Sequence, residues 1–354
     1  MNRSKFQLIT LGLIFAVSLV QCVKKTPPTG GLVEHQAYAN KFWGYRTSVL
    51  VKAGPAEIEE YNLDAGNLIQ SGGNVGLKIA SGDKFEKIGD RVVYQSEMMG
   101  ATFTISCVLV KNDPGKSQVF VCLVNEGMMA FIRYQMTPLE QATKLTIEFE
   151  VEEANALLEE IIEQARLKEI IMKLQDEAIA RLQTHFDPSL KREELLISGL
   201  KGEYYDKMYP AHQASIWIDA PLSKVAEYIA SPAFTEMMKQ NFNIDFGRAF
   251  MDQKPGTYRL AVNFLGNETH PDAFILSYQK EKRILAYWTA KLNSRIQILT
   301  RARQGGTEFT IAYMTESPPT VTMELAQIVL NNALIPNYVE SALIEIKAAV
   351  EGAV

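Results

Sequence analysis

Between Thr102 and Leu109 the chain alternates strictly. Phe103, Ile105, Cys107 and Leu109 fall on one side of an extended segment and Thr102, Thr104 and Ser106 on the other. A period of two is the mark of a half-buried antiparallel strand. Comparable runs near 46–52, 75–80, 90–97, 101–110, 117–125, 128–137 and 142–151 predict a strand-rich first half, with one short helical piece after Pro55. From Glu152 the period changes. Leu157, Leu158, Ile161, Ile162, Ala165, Ile170, Ile171, Leu174, Ala178 and Leu182 recur at three- and four-residue steps, which gives one long helix an apolar face. Asp187-Pro188 ends it, because proline disfavours helix before it and cannot donate a backbone bond.

The second half repeats this order. A strand is predicted at 212–218, helices over 222–241, and strands near 244–250, 256–265, 268–278, 284–290, 294–303 and 306–315. Pro318-Pro319 stops the sheet, and a helix follows over 321–351 with Pro336 as its kink. The repeat is also visible in the residues. Ser48–Tyr61 (SVLVKAGPAEIEEY) and Ser215–Tyr228 (SIWIDAPLSKVAEY) match without a gap at an offset of 167. So long a period means two copies of a whole domain rather than a solenoid. The expected organisation is a leader over 1–22, a tether over 23–40, a first domain over 41–187, a connector over 188–207 and a second domain over 208–354.

Several segments resemble the START-like helix-grip superfamily, which also holds polyketide-cyclase-like proteins. Ile216-Trp217-Ile218-Asp219-Ala220-Pro221 and Val225-Ala226-Glu227-Tyr228-Ile229 are similar to its opening strand and first helix. Gly305-Gly306-Thr307-Glu308-Phe309-Thr310 is similar to the start of its last strand, and Ile335-Pro336-Asn337-Tyr338-Val339 with Leu343-Ile344-Glu345-Ile346-Lys347 to its closing helix. The first half is more divergent, keeping Met136-Thr137-Pro138 and Thr143-Lys144-Leu145-Thr146. The resemblance implies an α+β fold of two helix-grip domains, each a curved antiparallel sheet wrapped on a long C-terminal helix. It supports function only by class.

Composition narrows the field. At 47% hydrophobic and 22% charged the chain is globular. A formal charge of −5 with no Lys/Arg cluster argues against a nucleic-acid partner. Arg3 and Lys5 precede an apolar run from Leu8 to Val20, long enough for a signal segment and short for a membrane span. Leu19-Val20-Gln21-Cys22 resembles a bacterial lipobox, which implies a lipidated Cys22; an ordinary signal peptide and an uncleaved anchor are the alternatives. Lys24–Gly31 (KKTPPTGG) suits a flexible tether. The expected location is the bacterial cell envelope, on the periplasmic face or the outer membrane.

The four histidines, His35, His185, His212 and His270, have no metal-like spacing, and neither a nucleophile elbow nor a phosphate loop is present. His270 lies beside Glu268 and Asp272, a setting that admits a general base, but the favoured reading is a surface histidine near a turn. No catalytic residue, metal or cofactor is expected. The candidate site is instead an apolar cavity between sheet and helix. Its predicted walls are Phe103, Ile105, Phe120 and Met128 in the first domain. In the second they are Phe274, Leu276 and Trp288, which share a face if their hairpin closes near Glu281. Met98, Met99, Met128, Met129 and Met136 suit an adaptable wall, while Arg133, Arg295 and Arg301 could meet a headgroup or face solvent. Cys107 and Cys122 flank the Asn112–Ser117 turn and read as a disulfide or as two buried thiols.

The function expected is binding of a lipid or other apolar small molecule by a membrane-anchored protein. A cyclase/aromatase-like enzyme and an interaction module with filled cavities are the alternatives. Cys22→Ala should release the protein from membranes; membrane association that survives this change, or a mature N-terminus without acyl chains, would remove the anchor.

Overall fold

The computed structural model describes residues 33–67, 77–98, 101–125, 127–152, 164–190, 202–264, 267–289, 293–303, 305–316 and 335–352. Cys22, the leader and the first parts of both predicted long helices lie outside these residues. The chain divides into a first unit, 41–208, and a second unit that joins 209–354 to the first 40 residues.

The first unit contains β1 (Glu34–Val51, its residues from 41), α1 (Pro55–Leu63), β2 (Lys78–Ser81), β3 (Arg91–Met98), β4 (Ala101–Asp113), β5 (Ser117–Val124), β6 (Met128–Pro138), β7 (Thr143–Glu152) and α2 (Gln164–Phe186). Its strands are antiparallel neighbours in the order β1-β7-β6-β5-β4-β3-β2. One face carries Val49, Tyr94, Cys107, Leu109, Phe120, Cys122, Met128, Leu145 and Ile147, which pack with Ile58 of α1 and Ile179 and Leu182 of α2. The 3.6-residue period of α2 thus meets the two-residue period of the strands in one core.

The second unit contains β8 (Glu203–Ile218, its residues from 209), α3 (Leu222–Ile229), α4 (Pro232–Phe242), β9 (Ile244–Asp245), β10 (Gly256–Arg259), β11 (Ala261–Phe264), β12 (Asn267–Thr269), β13 (Asp272–Gln279), β14 (Arg283–Trp288), β15 (Ser294–Arg303), β16 (Gly306–Thr315) and α5 (Ile335–Glu351). The main order is β10-β13-β14-β15-β16-β8, with a small β12-β11-β9 sheet beside it. Val339, Leu343, Ile346 and Val350 of α5 cover the face bearing Ile216, Ile275, Trp288, Ile298 and Phe309. At the C-terminal end of α5, Lys347 Nζ donates to the Trp217 carbonyl (2.8 Å) and Glu351 accepts from the Asp219 N–H (2.6 Å), so the helix is pinned to β8.

The duplication is structural as well as sequential. Ser48 pairs with Thr146 and Ser215 with Thr310, their hydroxyls 2.8 and 2.7 Å apart. Thr143 Oγ1 donates to the Ala53 carbonyl (2.7 Å), and Thr307 Oγ1 to the Ala220 carbonyl (2.9 Å). The hairpins β4–β5 and β13–β14 each close over three residues, between Asp113 and Ser117 and between Gln279 and Arg283. The middle residue of each turn, Gly115 or Glu281, is left-handed at φ 67° and 63°. Each hairpin then slips by one residue at the same distance from its turn, at Val110 and at Leu276.

Three sequence expectations are corrected. The tether expected over 23–40 is shorter, because Glu34–Asn40 are strand and belong to the second unit. The connector expected over 188–207 is shorter too, because Glu203–Lys207 open β8 and belong to the first unit. The continuous strand near 244–250 ends at Asp245, because its carboxylate accepts the Gly247 N–H (2.8 Å) and turns the chain. That turn drops Phe246 and Phe250 into the core.

Glu150 of β7 is fully buried, on the face of the first unit's sheet away from α2. It takes Arg133 on one oxygen, and Lys207 Nζ and Tyr205 Oη on the other, both at 2.9 Å. Burial first, and then the Glu150 charge, push the Tyr205 phenol well above its ordinary range. A Cβ on Gly44 would sit 2.3 Å from the Tyr205 ring, and one on Gly202 would sit 1.9 Å from that of Tyr45. Only glycine admits the two rings.

The threonine clasps give a direct test. Thr143→Val and Thr307→Val keep shape and remove the hydroxyl, so each should cost about 1–2 kcal/mol in chemical denaturation. Losses within error of zero would show that the clasps hold nothing.

Candidate functional site: the sheet–helix interior

The first unit's interior is apolar with a few polar atoms. Phe120 stands edge-on to Phe85 (centroids 4.9 Å apart) and to Tyr134 (5.9 Å), within the range of favourable aromatic pairs. Ile105 and Met128 border the same cluster. Ile105, Phe120 and Met128 therefore share the face turned to α2, while the Phe103 side chain lies outside the described residues.

Several buried polar atoms of this unit lack a hydrogen-bond partner among the described residues, and two of them bear on the interior. One is the Tyr94 hydroxyl, on a residue only 2% exposed. The other is Gln175 Oε1 on α2, whose amide nitrogen donates to the Ile147 carbonyl (3.2 Å) and Thr47 Oγ1 (3.4 Å). Burial raises the Tyr94 and Tyr134 phenols above their ordinary range, and each is raised further by a neighbouring tyrosine, Tyr134 and Tyr61 respectively. Both stay protonated at neutral pH and can offer a hydrogen bond. A buried hydroxyl with no partner forfeits about 1–3 kcal/mol.

The second unit's interior carries a run of neighbouring rings. Phe234 meets Phe250 at 5.2 Å, Phe250 meets Phe246 at 4.9 Å, Phe246 meets Trp288 at 6.4 Å and Trp288 meets Tyr313 at 5.9 Å. The Tyr313 hydroxyl is paired with Ser294 Oγ at 2.8 Å, and burial pushes the phenol up to about 12. Among the described residues, Thr235 and Ser277 also carry buried hydroxyls without a hydrogen-bond partner, Ser277 on the outer side of the β13 bulge.

The predicted second-unit wall does not form. The hairpin closes at Glu281 as expected, but the extra residue at Leu276 shifts the register. Trp288 faces Ala273, and Phe274 faces Tyr287. Trp288 belongs to the cluster under α5; Phe274 and Leu276, buried at 0% and 2%, do not. A one-residue bulge turns every later side chain to the other face. In the first unit the same slip has the opposite result. Counting from the turn alone, Cys107 would face Leu123; the slip at Val110 sets it against Cys122. The structure joins the two as a disulfide with Cα atoms 4.0 Å apart.

The methionines and arginines also divide. Met128 and Met136 line the first core, and Met129 is not part of it. The side chains of Met98 and Met99 lie outside the described residues. Arg133 is committed to Glu150, Arg295 is 4% exposed, and Arg301 faces solvent. His270 is exposed near Glu268 (3.5 Å). Two open grooves, of 470 and 450 Å³, lie elsewhere, around Trp217, Arg303 and Glu308 and around Glu59, Leu63 and Phe85. Neither includes a predicted wall residue. Among the described residues no helix is long and apolar enough to cross a membrane.

No family model matches the chain, and no curated protein does. Among solved structures it is similar to the di-domain ARO/CYC StfQ from the steffimycin biosynthetic pathway: 10% identity, 87% of this chain, 98% of that one, TM-score 0.34. It is similar also to the di-domain ARO/CYC BexL from the BE-7585A biosynthetic pathway, at 12% identity over 90% of this chain and 99% of that one, TM-score 0.33. Protein CV1439 from Chromobacterium violaceum is 14% identical over 41% of this chain and 98% of that one, TM-score 0.33. Likeness at this level carries no argument about what the chain binds.

Proposed function

We propose that this protein is a tandem helix-grip binder, tethered to a bacterial envelope membrane through a lipidated Cys22, that holds a lipid or other apolar small molecule between the sheet and long helix of its first unit. The observation that carries the reading is the Tyr94 hydroxyl, buried in an apolar interior without a partner among the described residues. A mostly apolar guest with one oxygen atom would supply that partner. It would gain about 25 cal/mol for each Å² of apolar surface withdrawn from water. Ligand sites have this composition, with apolar walls and a few polar atoms that set orientation. The ring-filled interior of the second unit favours a scaffold role for that copy, the filled-module reading applied to one half. Proton-transfer chemistry of the cyclase type is the alternative reading; its nearest groups are His185, whose ring lies 4.9 Å from that of Tyr61 at the edge of the cluster, and Asp64, whose charge acts on Tyr94.

A matched pair of ligands tests this. Displacement of a neutral fluorescent probe, N-phenyl-1-naphthylamine, should show binding of both a long-chain ketone and its parent alkane. Tyr94→Phe should weaken the ketone roughly tenfold and leave the alkane unchanged. Phe120→Arg should abolish both, with circular dichroism confirming that the sheet survives. Failure of either guest to displace the probe, or equal weakening of both by Tyr94→Phe, counts against the assignment.

A further inference from the structure

His35 and His212 are 177 residues apart in sequence, yet both belong to the second unit and their rings meet. His35 Nδ1 lies 3.2 Å from His212 Nε2. The other nitrogen of His35, Nε2, lies 3.6 Å from Glu340 Oε2 on α5. One residue further along in each segment, the side-chain amide of Gln213 donates to that of Gln36 at 3.0 Å, so the histidine contact is not isolated. On the neighbouring strand β16, Tyr313 pairs with His212, and its hydroxyl is held by Ser294.

The geometry points to a two-imidazole site for a divalent transition metal ion, with Zn²⁺ the leading candidate, held by His35 Nδ1 and His212 Nε2. Two nitrogens each about 2.0–2.1 Å from one tetrahedral ion stand about 3.3 Å apart, so the observed separation needs little adjustment. Imidazole suits Zn²⁺, Cu²⁺ and Ni²⁺ and not Mg²⁺ or Ca²⁺. Glu340 stands on the remote nitrogen of His35, where carboxylates commonly orient a metal-bound imidazole. Among the described residues no group of three or more His, Cys, Asp or Glu is placed to hold a metal, so water fills the remaining positions. His35 is about a third exposed, and the ion has a path in. Without metal, the same separation suits an N–H···N hydrogen bond between neutral rings.

Bound metal would staple residues 33–40 to β8. The experiment is Zn²⁺ titration of the full-length protein by calorimetry, with Mg²⁺ as control, alongside hydrogen exchange of the 33–40 segment. Wild type should bind Zn²⁺ in a step that slows exchange over 33–40, and Mg²⁺ should do neither. His35→Ala should remove that step, and Glu340→Gln should weaken it about tenfold. His35 is part-exposed, so its variant tests the site even if His212→Ala fails to fold. Absence of Zn²⁺ binding in wild type, or binding with the same exchange protection in His35→Ala, would overturn the site and leave a hydrogen-bonded histidine pair.

Discussion

A threonine hydroxyl at the start of each unit's last strand holds the carbonyl where its first strand gives way to a helix. Thr143 reaches Ala53 and Thr307 reaches Ala220, and both threonines are fully buried. A carbonyl buried there without a partner would cost about 1–3 kcal/mol. Held in place, it fixes the direction in which α1 or α3 leaves the sheet. That direction decides which face the helices cover, and so which alternate side chains become interior. The first strand, the last strand and the choice of inner face are thus settled together.

The first unit adds a second constraint on its other face. Glu150 is an ion withdrawn from water, tolerable only because Arg133, Lys207 and Tyr205 answer both oxygens. Such a cluster is weak evidence of stability, since apolar residues of equal volume often do as well. Its effect here is on register. Lys207 and Tyr205 can reach Glu150 only if the opening of β8 lies where Gly44 and Gly202 admit the rings of Tyr205 and Tyr45. A slip of one residue would drive a Cβ into an aromatic ring and strand a buried charge.

Much of this was legible in the chain. The alternation from Phe103 to Leu109, the helical period up to Leu182 and the 167-residue offset gave element order and duplication, and β15 and β16 match their expected bounds. The bulges were not legible. Neither Val110 nor Leu276 is a glycine or a proline, and nothing in composition marks an extra residue in a strand. Hence strict alternation counted from the turn puts Phe274 on the face of Trp288, and the bulge puts it on the other. His35 and His212 were hidden for another reason: metal spacing in sequence reveals ligands on one turn or helix, not ligands that strand pairing brings together. Tyr94 carried no signal either, because an alternating Tyr reads as core until its hydroxyl is seen to lack a partner.

The equivalent bulges also explain why the two copies differ inside. Counted from the turns, Cys107 opposite Cys122 occupies the position that Ala273 opposite Trp288 occupies in the second unit. One copy puts two small cross-linked side chains at this point of the inner face; the other puts an indole over an alanine. The indole reaches Phe246 and Tyr313 and completes a run of rings. In the first unit, Tyr94 stands diagonally beside Cys107, facing Ile105, and its hydroxyl goes unanswered. The disulfide also cross-links β4 to β5, so the inner wall can keep its shape without a large side chain to prop it. One duplicated frame therefore supports two interiors: an aromatic ring fills the position in one copy, and a covalent bond holds it in the other.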